Sequence, residues 1–101
     1  MKNKKLEEFE FLQRIQDLVD RKEIIFSKQG KRYSSLQITS ENIITGRRDN
    51  AKHPEKFFTV DLRQLYLGYC KLTTITPSTL RKYARLNQSP AWAILNAINL
   101  L

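Results

Sequence analysis

The spacing of apolar residues changes twice along this 101-residue chain, and those changes constrain the fold more than any other feature. Up to about residue 22, apolar side chains recur every three or four positions, as in an amphipathic helix. Between residues 24 and 45, β-branched and aromatic residues alternate with polar ones, as in strands. After residue 61 the helical period returns. The order helix, strands, helices predicts a single α+β domain.

The first segment predicts a helix over about Lys5–Lys22, within an N-terminal part that we place at residues 1–23. Phe9, Leu12 and Val19 fall on one face, and Glu10–Arg14 is an acid-first pair at i,i+4 that adds a little stability. The acids of this helix balance its bases, so it is a poor surface for a polyanion. Its apolar face indicates core packing, with a partner helix as the alternative.

The middle part, residues 24–60, predicts a small antiparallel sheet of three or four strands and a basic loop. The strands are expected at Ile24–Phe26, Arg32–Thr39 and Ile43–Thr45, the last of them ending at Gly46, and an edge strand is a further option at Phe57–Val60. Strict alternation would place Ser34, Leu36 and Ile38 on one face of the second strand and Tyr33, Ser35, Gln37 and Thr39 on the other.

The last part, residues 61–101, predicts three short helices. The first, about Asp61–Leu72, can be capped by Thr59 or Asp61. Thr76 and Ser89 each precede a proline, which predicts helix starts at about Pro77–Arg85 and Pro90–Asn99. The final helix is apolar nearly all round, so it is either buried or paired with another chain. The residues expected at such a partner or homodimer interface are Trp92, Ile94, Leu95 and Ile98.

The formal charge of +8 is carried entirely by residues 27–101, which contain twelve Lys and Arg residues against four acids. Residues 1–26 carry six of each sign, and no acidic side chain follows Asp61. A one-sided basic field attracts polyanions and speeds their encounter. The charge therefore predicts the sign of a partner, and nucleic acid is the obvious one.

The most specific basic pattern lies on the helix expected after Pro77. Its basic face is formed by residues at i, i+3, i+4 and i+7, namely Ser78, Arg81, Lys82 and Arg85. A short helix with an apolar back and an arginine-rich front suits insertion into a DNA major groove, and two flanking helices would complete a helix-turn-helix variant. The alternative is an ordinary solvated helix face.

A second basic group is expected on the sheet side. It comprises residues of the first hairpin, Lys28, Lys31 and Arg32, and residues of the loop, Arg47, Arg48, Lys52 and Lys56. Tyr33, Phe57 and Phe58 lie between them and could stack on unpaired bases, although only one of the two adjacent phenylalanines can face outward. The alternative is that lysines at hairpin turns simply protect edge strands.

Enzymatic and metal-dependent functions have little support in the sequence. A small basic ribonuclease built on His53 with Asp49 and Glu55 is the catalytic alternative, but a single histidine needs a second group as acid. One histidine and one cysteine have no ligand-like spacing, so neither a metal nor another cofactor is expected. Cys70 is expected to be a small core residue, as free cysteines usually are.

These observations predict a non-enzymatic nucleic-acid-binding protein, with DNA preferred over RNA and the helix after Pro77 making the main contact. A protein-interaction module built on the last helix is the alternative from a different class. No apolar run approaches the ~20 residues of a membrane span. Glu7, Glu8 and Glu10 interrupt any signal-like apolar run, so a cytoplasmic location is expected.

Overall fold

A computed structural model describes residues 5–49 and 57–101 and confirms the predicted α+β class: an N-terminal helix, a four-stranded antiparallel sheet and C-terminal helices. In chain order the elements are α1 (Glu8–Asp20), β1 (Ile25–Phe26), β2 (Arg32–Ile38), β3 (Ile43–Arg48), β4 (Phe57–Asp61), α2 (Leu62–Lys71), α3 (Pro77–Leu80) and α4 (Gln88–Ala97).

The four strands follow one another across the sheet in the order β1-β2-β3-β4, each antiparallel to its neighbours. One face of the sheet is packed against α1, α2 and α4. The strand side chains buried on that face are Ile25, Tyr33, Leu36, Ile44, Phe58 and Val60. The opposite face carries the exposed strand residues and is called here the open face.

Helix α1 begins at Glu8, three residues later than the sequence predicts, because Leu6 is held by two tyrosines. The Leu6 N–H donates to Tyr69 Oη at 2.9 Å, and Tyr66 Oη donates to the Leu6 carbonyl at 2.9 Å. Both rings also pack beside Phe11, with ring centroids 5.1 and 5.6 Å away. The segment before α1 is therefore fixed to α2 rather than wound into the helix.

Strand β2 departs from the strict alternation expected of it. The pairing with β3 shifts between Ser34 and Gln37, and Ser35 has a φ of +55°. A bulge of this kind inserts one residue and turns the following side chains to the other face. Tyr33 and Leu36 are consequently both buried, three positions apart, whereas strict alternation would have placed them on opposite faces.

Strand β3 continues through Gly46 to Arg48, so the prediction that it ends at Gly46 is wrong. Gly46 pairs with Phe58 and lies directly beneath its ring: a Cβ there would be 2.7 Å from Phe58 Cζ and 2.8 Å from Leu36 Cδ2. Glycine is required by this close approach and does not break the strand. Arg47 and Arg48 therefore belong to a strand, not to the loop in which they were expected.

The first C-terminal helix forms as predicted, with Asp61 as its cap. Its carboxylate accepts hydrogen bonds from the backbone N–H groups of Arg63 at 2.9 Å and Gln64 at 3.2 Å. Leu65 and Tyr69 are buried on the inward face, also as expected. The outward face carries Cys70, which is exposed, so the expectation of a buried cysteine is wrong.

Substituting the cap should measurably destabilise the domain. Asp61→Ala is expected to lower the free energy of unfolding by about 1 kcal/mol, because two N–H groups lose their acceptor. Asp61→Asn keeps an acceptor and should retain most of that stability. Urea denaturation followed by circular dichroism provides the measurement. Equal losses in the two variants would show that the negative charge, not the capping hydrogen bonds, stabilises this end.

The last two helices begin differently from one another. Thr76 caps α3 in the predicted manner: its Oγ1 accepts from the Thr79 N–H at 3.1 Å, and Thr79 Oγ1 accepts from the Thr76 N–H at 2.8 Å. Helix α4, in contrast, begins at Gln88 with Asn87 as its N-cap residue, two residues before the expected start at Pro90. Proline is tolerated throughout the first turn of a helix, so Pro90 indicates where α4 begins only to within a few residues.

Candidate nucleic-acid interface

The neighbouring arginines of β3 point to opposite faces of the sheet. Residues directly opposite each other in an antiparallel ladder share a face. Arg48 is opposite Tyr33, on the helix-covered face, whereas Arg47 lies between Ser34 on β2 and Phe57 on β4, on the open face. The single basic group expected from the sequence is thus divided into two sites, one on each face.

The first site is an exposed patch at one end of the open face. It consists of two cross-strand rows: Phe26 beside Arg32, and Ser34 beside Arg47 and Phe57. We call these five residues the open-face patch. Phe57 is 62% exposed and Phe26 52%, although both are large apolar side chains in regular strands. The patch therefore presents two accessible aromatic rings, each directly beside an arginine.

Asp49 organises the polar part of this patch. Its Oδ2 lies 3.2 Å from Arg32 Nε, and its Oδ1 accepts a hydrogen bond from Ser34 Oγ at 2.7 Å. The Asp49 carboxylate offsets part of the arginine's charge but also fixes the direction of its side chain. Arg32 is still half exposed, so its remaining N–H groups face solvent.

The second site begins at Arg48. Its guanidinium donates from Nη2 to Asn87 Oδ1 at 3.1 Å, which ties the end of β3 to the start of α4. This bond spans 39 positions of sequence and brings the turn that follows Arg85 against the sheet. The start of α4 therefore lies against the end of β3.

A cavity of about 280 Å³ lies beside the Arg48–Asn87 bond. We call it the basic cavity; its polar lining is Lys31, Arg32, Tyr33 and Arg48 from the sheet and Gln88 and Ser89 from α4. Within the described part of the chain, Arg48 Nε and Gln88 Oε1 are buried and have no hydrogen-bond partner. Unpaired buried polar atoms are costly, so a cavity lined by two such residues is a candidate ligand site.

Tyr33 contributes a neutral hydroxyl to the cavity. Burial raises the pKa of its phenol above the usual value of 10.0, and the positive charge of Arg48 opposes this shift without cancelling it. The phenol therefore stays protonated at neutral pH and can donate a hydrogen bond. The same property makes it a poor general base.

Of the four residues expected on the face of a recognition helix, only Ser78 lies on a helix. Helix α3 is a single turn that ends at Leu80. The backbone hydrogen bonds that follow are mostly those of β-turns, such as Arg81 N–H to Ser78 O and Asn87 N–H to Ala84 O, with one α-type bond from Ala84 N–H to Leu80 O. The prediction of a helix over 77–85 is therefore wrong beyond Leu80. The four residues of its expected basic face are all exposed, namely Ser78, Arg81, Lys82 and Arg85.

A helix-turn-helix motif needs a recognition helix that fills the major groove. One turn of helix is only about 6 Å long, since each residue adds 1.5 Å. The segment after Thr76 accordingly lacks the groove-reading helix that the sequence pattern indicated. Its basic side chains remain accessible to a polyanion, but without the periodic face expected of them.

The apolar residues of α4 serve the core of this chain. Ile94 and Leu95 are fully buried and Ile98 is 5% exposed, so in this fold these three of the four expected interface residues are not accessible to a partner. Trp92 is half-buried and packs against the same core. The sequence predicted that this helix is either buried or paired with another chain, and burial within the chain's own core explains its apolar composition.

Several expected residues fall outside the described ranges. Lys52, Lys56 and the ribonuclease candidates His53 and Glu55 all lie in residues 50–56. Among the residues that are described, no group of three or more His, Cys, Asp or Glu side chains is placed to hold a metal ion. Across 5–49 and 57–101, no helix has the length and apolar character needed to cross a membrane.

Sequence reasoning missed the α4 side of the basic cavity. Asn87 and Gln88 are uncharged and follow no motif, so only the folded chain reveals their contact with Arg48. Phe26 was identified as a strand residue, but its exposure could not be inferred without the register. Comparison with known proteins gives no guidance, because no family model, curated protein or solved structure matches this chain significantly.

Proposed function

We propose that this chain is a non-enzymatic nucleic-acid-binding protein that holds an unpaired strand across the open-face patch. The observation that carries the proposal is the exposed ring of Phe57 directly opposite Arg47, with Phe26 and Arg32 repeating the pair two strands away. Aromatic rings next to cationic side chains on an open sheet are what a strand with splayed bases requires.

Each part of the patch has a separate role in this proposal. The rings of Phe26 and Phe57 stack on bases, and such stacking contributes about 1–3 kcal/mol per base. The arginines attract the backbone phosphates, and the net charge of +8 increases the rate of encounter. Stacking does not depend on base identity, so weak sequence preference is expected.

The target in this proposal is a single strand rather than a duplex. Duplex DNA was favoured by the sequence through a groove-reading helix, and a one-turn α3 removes that argument. Stacking on the open-face patch requires bases that are not paired and is available to DNA and RNA strands alike. The exposed Arg81, Lys82 and Arg85 would add long-range attraction for either.

Fluorescence anisotropy at several salt concentrations tests the proposal. The labelled ligands are a 12-nucleotide single-stranded DNA, an RNA of the same sequence and a 12-base-pair duplex. The single strands should bind more tightly than the duplex, with affinity falling steeply as salt rises. Phe57→Ala should weaken binding about 10-fold or more. Arg47→Gln should reduce the magnitude of the logarithmic salt slope by about 0.7, the value for one phosphate contact on a single strand.

Phe9 provides the matched aromatic control, since its ring is 78% exposed on α1, outside the open-face patch. Phe9→Ala should leave affinity unchanged, and Lys71→Gln, which removes a charge at the end of α2, should change it far less than Arg47→Gln. The strands should be recovered intact after incubation. Undetectable binding at low salt, or equal losses in Phe9→Ala and Phe57→Ala, would contradict the proposal.

A further inference from the structure

We infer that the basic cavity is a binding site for a phosphomonoester carried on a sugar, either the terminal phosphate of a nucleic-acid strand or a free nucleotide or sugar phosphate. The site lies at the helix-covered side of the sheet, between β2, β3 and the start of α4. The two sites share Arg32, but the inference rests on Arg48, which faces away from the open-face patch, and so does not depend on strand binding there.

Positive charge is concentrated at this cavity. Lys31 and Arg48 line it, and Arg32 also contributes to the lining although its guanidinium is paired with Asp49 in the open-face patch. Asp49 neutralises part of the charge of Arg32, whereas in the described ranges neither Lys31 nor Arg48 forms an ion pair with a carboxylate. Two uncompensated cations converging on one concave surface favour an anion, and a phosphate dianion suits them better than a carboxylate because it offers more acceptor oxygens.

Arg48 is fixed in place before any ligand arrives. Its Nη2 is bonded to Asn87, whereas its Nε is buried without a partner among the described residues. A guanidinium held by one nitrogen and unsatisfied at another has an N–H left to donate to a ligand oxygen. Neutral Tyr33 adds a hydroxyl that can donate to the same anion.

The amino end of α4 faces the same cavity. Gln88 and Ser89 are the first two residues of this ten-residue helix, and the N-cap residue Asn87 makes no capping hydrogen bond because its side chain is bonded to Arg48. The helix dipole and the N–H groups of Gln88 and Ser89 therefore add to the attraction for an anion supplied by the cationic side chains.

Gln88 Oε1 and the size of the cavity indicate what kind of molecule carries the phosphate. Gln88 Oε1 is a buried acceptor without a described partner, so it requires a donor such as a sugar hydroxyl. A volume of about 280 Å³ lies just below the usual range for ligand pockets and suits a ligand no larger than a single phosphorylated sugar. A phosphate attached to a hydroxyl-bearing ring offers an acceptor for the Arg48 donor and a donor for the Gln88 acceptor.

Isothermal titration calorimetry tests the site with four ligands: ribose 5-phosphate, ribose, adenosine 5′-monophosphate and inorganic phosphate. Ribose 5-phosphate and adenosine 5′-monophosphate should bind saturably, inorganic phosphate should bind more weakly, and ribose should not bind. Ser89→Glu places a carboxylate in the cavity at a position that suits an acid in the first turn of a helix, so the fold should survive while phosphate binding falls at least 10-fold. Lys31→Gln should weaken binding several-fold, whereas Lys28→Gln, in the same hairpin but outside the cavity lining, should not.

Strands of 12 nucleotides with and without a 5′-phosphate identify the source of the phosphate. A preference for the phosphorylated strand that disappears in Ser89→Glu supports a strand terminus, and equal binding of the two strands alongside tight adenosine 5′-monophosphate binding supports a free nucleotide. Phe57→Ala should leave ribose 5-phosphate binding unchanged, which separates this site from the open-face patch. Absence of saturable binding by either phosphorylated sugar, or unchanged binding in Ser89→Glu, would overturn the inference.

Discussion

Gly46→Ala is expected to lower the free energy of unfolding by about 1–3 kcal/mol, and Phe58→Ala by about 3–5 kcal/mol. Both effects originate at the same contact in the centre of the sheet, where the backbone of Gly46 lies under the fully buried ring of Phe58. For a domain whose total stability is on the order of 5–15 kcal/mol, the second loss is a large fraction of the total.

The two substitutions act through opposite packing errors. A Cβ on Gly46 would overlap the Phe58 ring and approach Leu36 Cδ2 to 2.8 Å, and both of these side chains are buried. Removing the Phe58 ring instead leaves a cavity between the sheet and the helices. If the ring is absent, the new methyl group enters empty space rather than a filled one.

A double-mutant cycle therefore provides the decisive measurement. The Gly46→Ala, Phe58→Ala double variant should be no less stable than Phe58→Ala alone, which gives a coupling energy of the order of the Gly46→Ala loss. Urea denaturation at 25 °C supplies the four free energies. Thr59→Ala, on the open face next to Phe58, is the control and should cost less than about 1 kcal/mol. Additive losses in the cycle would show that Gly46 is required by something other than the ring.

Gly46 also illustrates how far the sequence could predict the fold. The periods of apolar residues were sufficient to predict the α+β class, the helix that became α2 and the cap at Asp61, because those features depend on neighbours a few positions apart. Gly46 looked like the end of a strand because glycine usually weakens strands. Its true role depends on Phe58, twelve residues later and on a different strand.

The remaining misjudged features share this dependence on distant contacts. Leu80 and Ala84 are buried as their spacing predicted, but one α-type bond between them and flanking β-turns give the same spacing without a continuous helix. The half-buried Tyr83 packs against Gly68 of α2, where a side chain would collide with the Tyr83 ring, so tertiary packing contributes to the path of this segment.

The candidate sites depend on register and on long-range hydrogen bonds. The sequence identified Arg47 and Arg48 as basic but treated them as one group, because the face of each depends on its partner in β2. The register separates the two: Arg47 joins the open-face patch and Arg48 joins the basic cavity. Charge could be located from the sequence, but the surface that presents it could not.

Replacing Ile94 tests whether the apolar residues of α4 pack within one chain or against a second chain. Ile94→Ala is expected to lower the free energy of unfolding by about 2–5 kcal/mol, since the side chain is fully buried within the chain's own core. The loss should not depend on protein concentration, because the contacts are made within one molecule. Unfolding of a dimer held together through this helix would instead vary with concentration.

Thermal unfolding of Ile94→Ala and the unsubstituted protein over a 100-fold range of concentration, with sedimentation equilibrium in parallel, separates these cases. Each 1 kcal/mol should lower Tm by about 4–8 °C, so a fall of at least 8 °C is expected at every concentration. Asn96→Ala is the matched control on the exposed side of the same helix and should shift Tm by no more than a few degrees. If Tm rises with concentration in the unsubstituted protein but not in Ile94→Ala, Ile94 stabilises an assembly. Loss of a contact within one chain would not remove the dependence of Tm on concentration.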